Sequence, residues 1–328
     1  MKMKTWWLAG VMAGCALALA GCAKQGDESD VKTLVMVPKG VHPYYEPCYE
    51  GFRAAAARYG VKAEYRAAKQ FEVPQQVEII ENLLARRVDG IAVSALDDEG
   101  LVSVIQQAVD AGITVITFDA PAPSSAALCY IGTMNDTAGY RGGVELAGLM
   151  KTAGKVAVLQ GGLGAPNLND RFKGFERALK EHLPGAEIVA REDTQGKIEM
   201  VVNKTEAILQ AHPDLKAIFC VSAEGIPGVA PVLEEQRKAG SILLAGFDDL
   251  PDALNAIRND TAAFCIAQKT FKMGWLSVEN LLAAMDGKPI PKEIDTGVLI
   301  VRKDNVDTYM ADMKEEFESA AAQPPEGK

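Results

Sequence analysis

Beyond residue 30 the chain repeats one pattern: a short run of consecutive Val, Ile, Leu or Phe, then a longer stretch with apolar residues at helical spacing. In the first half the runs predict strands at Thr33–Val37, Val61–Arg66, Gly90–Ser94, Ile113–Phe118 and Leu128–Ile131. Helices are expected at Pro47–Tyr59, stopped by Gly60, and at Pro74–Arg86. A second series begins at Lys155, with strands at Val156–Leu159, Glu187–Ala190, Ala217–Val221, Ile242–Gly246 and Ala263–Ala267. Runs that are apolar at every position, instead of every second one, belong to strands covered on both faces, which is the environment of a parallel sheet between helices. The pattern predicts an α/β chain of two doubly wound parallel-sheet lobes.

The two series are related to each other. Residues 77–94 read VEIIENLLARRVDGIAVS and residues 204–222 read KTEAILQAHPDLKAIFCVS, each a helix, a break and a strand. Each is followed by a helix and then a strand that closes on Phe-Asp, Phe118-Asp119 and Phe247-Asp248. Ligands of open parallel sheets bind outside the carboxyl ends of the strands. Two lobes facing each other would aim Asp119 and Asp248 into one cleft. The competing reading makes each aspartate a turn or helix cap, because Pro121 and Pro251 follow closely.

The first thirty residues belong to targeting. Two lysines precede an apolar run from Trp6 to Ala20 that ends in Leu19-Ala20-Gly21-Cys22. A basic start, a short apolar stretch and small residues before a cut describe a secretory signal, and the run is shorter than the roughly 20 residues a bilayer core needs. The ending resembles the bacterial lipobox, which implies cleavage after residue 21 and acylation of Cys22, with residues 22–31 as a flexible tether. The formal net charge of −10 argues against a nucleic-acid partner. No Cys-x-x-Cys occurs, and His42, His182 and His212 lack metal-ligand spacing, so no metal or cofactor is expected. Cys48, Cys129, Cys220 and Cys265 are expected to be free thiols: in the usual strand order Cys220 and Cys265 stand two strand spacings apart, about 9.6 Å, beyond disulfide reach.

Enzyme motifs do not survive inspection. Gly161-Gly162-Leu163-Gly164 resembles a dinucleotide turn, but Asn167 occupies the place of the third glycine. Val221-Ser222-Ala223-Glu224-Gly225 lacks the Gly-x-Ser-x-Gly of a nucleophile elbow. Asp119 with Asp248 could be imagined as a glycosidase pair. No catalytic residue is assigned.

Several segments together carry a family likeness: His42-Pro43-Tyr44-Tyr45, VITFDAPAP at 115–123, YIGTMNDTAGYRGG at 130–143, AHPDLKAIF at 211–219, LAGFDDLPD at 244–252 and IAQ at 266–268. With them the chain resembles the periplasmic sugar-binding proteins of the ribose and galactose type, from Thr33 to Tyr309. The resemblance implies ligand contacts at Tyr44, Tyr45, Asp119, Asp248 and Gln268. It puts Ala120 where ribose binders carry a first pocket arginine, Asn169 where they carry the second, and Ser222 where they carry an asparagine. The opposing aromatic falls in Thr194-Gln195-Gly196, which contains none. Val37-Pro38-Lys39, Asp119 and Ala223 resemble the autoinducer-2 binding proteins, which adds Lys39 as a ligand-binding candidate. Asn167 and Leu168 depart from that group.

The resemblance also implies three passages between lobes, near Met134-Asn135, Gln268-Lys269 and Thr296-Gly297. The expected divisions are an N-lobe of residues 32–134 and 269–296, a C-lobe of residues 135–268 and 297–318, and a disordered tail at 319–328. The implied function is that of a monomeric, extracytoplasmic solute-binding lipoprotein. It would take a small sugar-like ligand to an ABC permease and touch the membrane only through its anchor. The alternative is a ligand-sensing component for a chemotaxis receptor or sensor kinase.

Overall fold

The computed structural model describes residues 31–322, so Cys22, the signal segment and the rest of residues 1–30 lie outside the described residues. The first sheet contains β1 (Thr33–Val37), β2 (Lys62–Tyr65), β3 (Gly90–Val93), β4 (Thr114–Phe118) and β5 (Tyr130–Gly132), joined late in the chain by β11 (Glu293–Asp295). The second contains β6 (Lys155–Gln160), β7 (Glu187–Asp193), β8 (Leu215–Cys220), β9 (Leu243–Phe247) and β10 (Phe264–Gln268), with β12 (Val298–Arg302). Their orders, β11-β5-β4-β3-β1-β2 and β12-β10-β9-β8-β6-β7, are the same winding made twice. All pairings are parallel except that of β12 with β10. The ten strands expected from apolar runs are present with shifted ends; β11 and β12 were not expected as strands.

Both faces of each sheet are covered, which is why the strand sequences are apolar without alternation. Leu34 and Met36 of β1 face one core with α1 (Glu46–Tyr59) and α9 (Thr270–Met285). Val35 and Val37 face the other, with α2 (Val73–Arg86) and α3 (Asp98–Asp110). In the second sheet Val156 and Val158 pack with α4 (Asn135–Met150) and α5 (Pro166–His182). Ala157 and Leu159 pack with α6 (Ile198–Ala211), α7 (Gly225–Glu235) and α8 (Pro251–Arg258), and Val306 of α10 (Val306–Ala322) joins that core. Burying one such Val or Leu side chain contributes about 1.5–3 kcal/mol. Helix α1 stops where expected, at Gly60, whose φ of 66° suits a left-handed cap. Helix α10 continues to Ala322, so residues 319–322, expected to open a disordered tail, are helical; residues 323–328 lie outside the described residues.

Helices α4 and α5 cross at unusually close range. A Cβ on Gly139 would overlap the Arg171 carbonyl oxygen, and one on Gly174 would overlap that of Asp136. This contact sets the start of α4 against the inward face of α5.

The chain passes between the sheets three times, from β5 into α4, from β10 into α9, and from β11 into β12. The passages are tied together. Thr133 Oγ1 donates to Gln268 Oε1 at 2.7 Å, and the Thr296 amide donates to the Gly132 carbonyl at 2.9 Å. Cys48, Cys129, Cys220 and Cys265 are free and buried, and β9 separates the strands of Cys220 and Cys265.

Candidate functional site

The carboxyl ends of both sheets open onto one cavity of about 600 Å³, within the range that holds a small-molecule ligand. Asp119 leaves β4 and Asp248 leaves β9 with left-handed backbone, at φ 58° and 72°. Each amide is held by the neighbouring strand, Asp119 by the Ile131 carbonyl and Asp248 by that of Ile266, both at 3.0 Å. Positive φ at a non-glycine residue costs of order 1 kcal/mol and is tolerated where something depends on it. Here it turns each carboxylate off the strand into the cleft. Neither aspartate is a cap: the N-cap of α8 is Leu250, without a side-chain cap bond, and no helix follows Asp119 before α4.

The two carboxylates have different surroundings. Asp119 accepts from Ser94 Oγ at 2.6 Å, Tyr44 Oη at 2.9 Å and Tyr45 Oη at 3.1 Å. The tyrosines come from the turn Pro43–Tyr45, fixed by His42 Nδ1, which accepts from the Tyr44 amide at 3.2 Å. Their rings meet edge to face at 5.1 Å, and burial first, then Asp119, holds both hydroxyls well above their ordinary pKa. Asp248 accepts only from Gln268 Nε2, at 2.7 Å, and its Oδ2 stands 3.8 Å from Arg171 Nη1. Burial pushes its pKa up to about 7, against the pull of Arg171 and Gln268. Lys39 reaches over from the end of β1 and donates to Asn167 Oδ1 on α5 at 2.8 Å. Burial lowers its pKa to about 8, although Asp119 favours the charged form.

Of the ligand-binding candidates, Lys39, Tyr44, Tyr45, Asp119, Ser222, Asp248 and Gln268 line the cavity. Asn169 does not. Its side chain turns away to Gln160 Nε2, the Leu163 carbonyl and Arg191 Nη2. The reason is helical: on α5, residue 169 lies about 200° around from Asn167, whereas Arg171 returns to the same face. Arg171 is the cleft arginine. It is 1% exposed. Its Nε donates to Asn135 Oδ1 at 2.9 Å, its Nη1 to the Val221 carbonyl at 3.0 Å, and its plane lies 4.2 Å over the Phe247 ring. Its Nη2 is buried without a hydrogen-bond partner, one of two such side-chain atoms among the described residues.

The scan of family models matches residues 33–289 to the periplasmic binding protein domain. The chain belongs to that family. A solute-binding protein of an ABC transporter from Burkholderia graminis, solved with D-arabinose, is 37% identical over 85% of this chain and 98% of its own, with a TM-score of 0.83. GanP, a glucose-galactose binding protein from Geobacillus stearothermophilus, is 31% identical over 84% of this chain and 99% of its own, with a TM-score of 0.81. The ribose import binding protein RbsB of Bacillus subtilis is 24% identical over 87% of this chain and 92% of its own. Like these relatives, this periplasmic binding protein is a solute binder and not an enzyme.

Sequence reasoning also missed Glu224 and Ser94. Glu224, at the start of α7, is 3% exposed and accepts from Thr194 Oγ1 and Ser222 Oγ, each at 2.7 Å. It lines the cleft opposite His42, whose pKa burial lowers. Nothing in a lone Ser-Ala-Glu announces that position. Arg171 was within reach, since Asn167 and Arg171 are spaced by one helical turn.

Proposed function

We propose that the protein captures a neutral, polyhydroxylated ligand of pentose or hexose size in this cleft and delivers it to an ABC importer in the cytoplasmic membrane. Closure would bring together an N-lobe of residues 32–134 and 269–296 and a C-lobe of residues 135–268 and 297–318. Anchoring would be through acylated Cys22, on the outer side of that membrane. The observation that carries the reading is Arg171, a buried arginine whose Nη2 has no hydrogen-bond partner and whose Nη1 stands 3.8 Å from Asp248 Oδ2. Leaving such a donor unpaired costs about 1–3 kcal/mol or more, and a sugar hydroxyl can accept from Arg171 while donating to Asp248. The charges support a neutral ligand. Lys39 and Arg171 stand among Asp119, Asp248 and Glu224, and burial raises the pKa of Asp248 to about 7. Charged side chains of both signs offer hydroxyls donors and acceptors within the same cleft. The relatives' ligands, D-arabinose, glucose or galactose, and ribose, are of this class.

The test is a thermal-shift screen with D-ribose, D-arabinose, D-xylose, D-glucose, D-galactose and a furanosyl signal. A ligand at a hundred times its Kd adds about 2.7 kcal/mol, which raises Tm by roughly 5 °C in a chain of this size. If no compound in the panel moves Tm, the reading is wrong.

A further inference from the structure

Phe71 is a half-buried aromatic in an otherwise polar segment, Lys69-Gln70-Phe71-Glu72, between β2 and α2, and it lines the cleft. Its two ring edges are held from opposite sides of the cavity. A Cβ on Gly40, just after β1, would stand 2.8 Å from Phe71 Cδ1 and 2.9 Å from Cε1. A Cβ on Gly196, just after β7 of the other sheet, would stand 2.8 Å from Cε2 and 2.9 Å from Cδ2. Gly196 also has φ 69°, so glycine suits both the space and the backbone there. The loop is fastened at its root, where the Val41 amide donates to the Ala68 carbonyl at 3.0 Å. His42 flanks the ring at 6.2 Å between centroids. The ring lines the cavity, and C–H surfaces of sugars pack on aromatic faces.

We infer that Phe71 is a lid and specificity residue. It seats on Gly196 of the opposite lobe when the cleft closes, and it supplies the aromatic face that Thr194-Gln195-Gly196 cannot. The lobe carrying Tyr44 and Tyr45 then provides the lid as well, and the opposite lobe provides only the seat. A ligand selected this way has an apolar C–H face toward the mouth and hydroxyls toward Arg171 and Asp248. This inference rests on the sugar-binding reading for its ligand, but the seating of Phe71 on Gly196 does not.

Two measurements separate the two ideas. With the panel sugar that the wild-type protein binds most tightly, Phe71→Ala should raise the dissociation rate about tenfold, the worth of roughly one lost aromatic contact. Phe71→Tyr should restore the rate to near wild type, and the ligand-free Tm of both variants should stay within a few degrees of wild type. An unchanged dissociation rate in Phe71→Ala overturns the lid. The second measurement needs no sugar. Phe71→Cys combined with Gly196→Cys is treated with dibromobimane, which fluoresces only when two nearby thiols are both alkylated. The buried native cysteines are controlled for by each single variant. Fluorescence in the double variant alone supports the seat, and its absence overturns it, whether or not any sugar binds. A wild-type protein that binds no panel sugar sinks the proposed function and leaves the seat to be decided by the bimane reaction.

Discussion

Asp248→Asn should make the protein more stable at pH 8 and worse at binding. Burial raises the Asp248 pKa from 3.8 to about 7. A carboxyl with a folded pKa above its unfolded one holds more protons folded than unfolded between those values, so stability falls as pH climbs from about 4 to 7. Three pKa units at 1.36 kcal/mol each set a ceiling of about 4 kcal/mol for that loss. Asparagine cannot ionise and escapes it. The gain stays below the ceiling because Arg171, 3.8 Å from Asp248 Oδ2, loses its counter-charge. Urea denaturation of both proteins at pH 4.5 and pH 8 measures the difference of differences, which cancels every other titrating group. The variant should gain on wild type by a few kcal/mol between the two pH values. Titration calorimetry should show affinity lower by tenfold to a hundredfold, the worth of a charged hydrogen bond at about 1.5–3 kcal/mol. Parallel stability profiles would mean that Asp248 is hydrated in the protein, and burial would fall as the cause of its raised pKa.

Arg171→Met should abolish measurable sugar binding, whereas Asn169→Ala should leave affinity within about twofold and cost about 1 kcal/mol of stability through its lost loop bonds; equal effects on affinity would return Asn169 to the site. Gly174→Ala should cost about 1–3 kcal/mol or more, since its Cβ overlaps the Asp136 carbonyl, and it should also weaken binding by moving Arg171; a neutral result in both assays would show that the α4–α5 crossing does not position the arginine. Cys22→Ser should end incorporation of radiolabelled palmitate, and unchanged labelling would exclude that cysteine as the acylation site.

The legible part of the fold is the part whose residues are buried on two faces. Every central strand is an apolar run, so β1, β3, β4, β8, β9 and β10 could be read almost to the residue. Edges could not. β11 is Glu-Ile-Asp, with two of its three side chains exposed, and it is a strand only because β5 stands beside it. The apolar run of β12 was available but follows a passage between sheets, where no helix signal frames it. At the site, Asp119 and Asp248 were found because an internal repeat put them at matching strand ends. Asn169 turns away from the cleft and Arg171, two residues on, lines it, a difference that follows from the 100° step of a helix. Phe71 and Glu224 depended on which side chains face each other across the cleft, and no local pattern records that.

The repeat explains why the site has two aspartates, but not why they differ. Both sit after a strand ending in Phe, both have positive φ, and both hang from the carbonyl of the next strand. Three hydroxyl donors surround Asp119, and a carboxylate has about four acceptor positions, so little capacity remains there for ligand. Asp248 has one neutral donor and a guanidinium slightly beyond hydrogen-bond range, and these do not offset the burial that raises its pKa. The first lobe is thus a finished surface that needs no ligand to satisfy its charge. The second holds a carboxylate with capacity to spare beside an arginine with an unpaired donor. A ligand hydroxyl between them would relieve both deficits at once. On the proposed reading most of the ligand-dependent stabilisation would fall on Arg171 and Asp248, with Asp119 holding Tyr44 and Tyr45 in position.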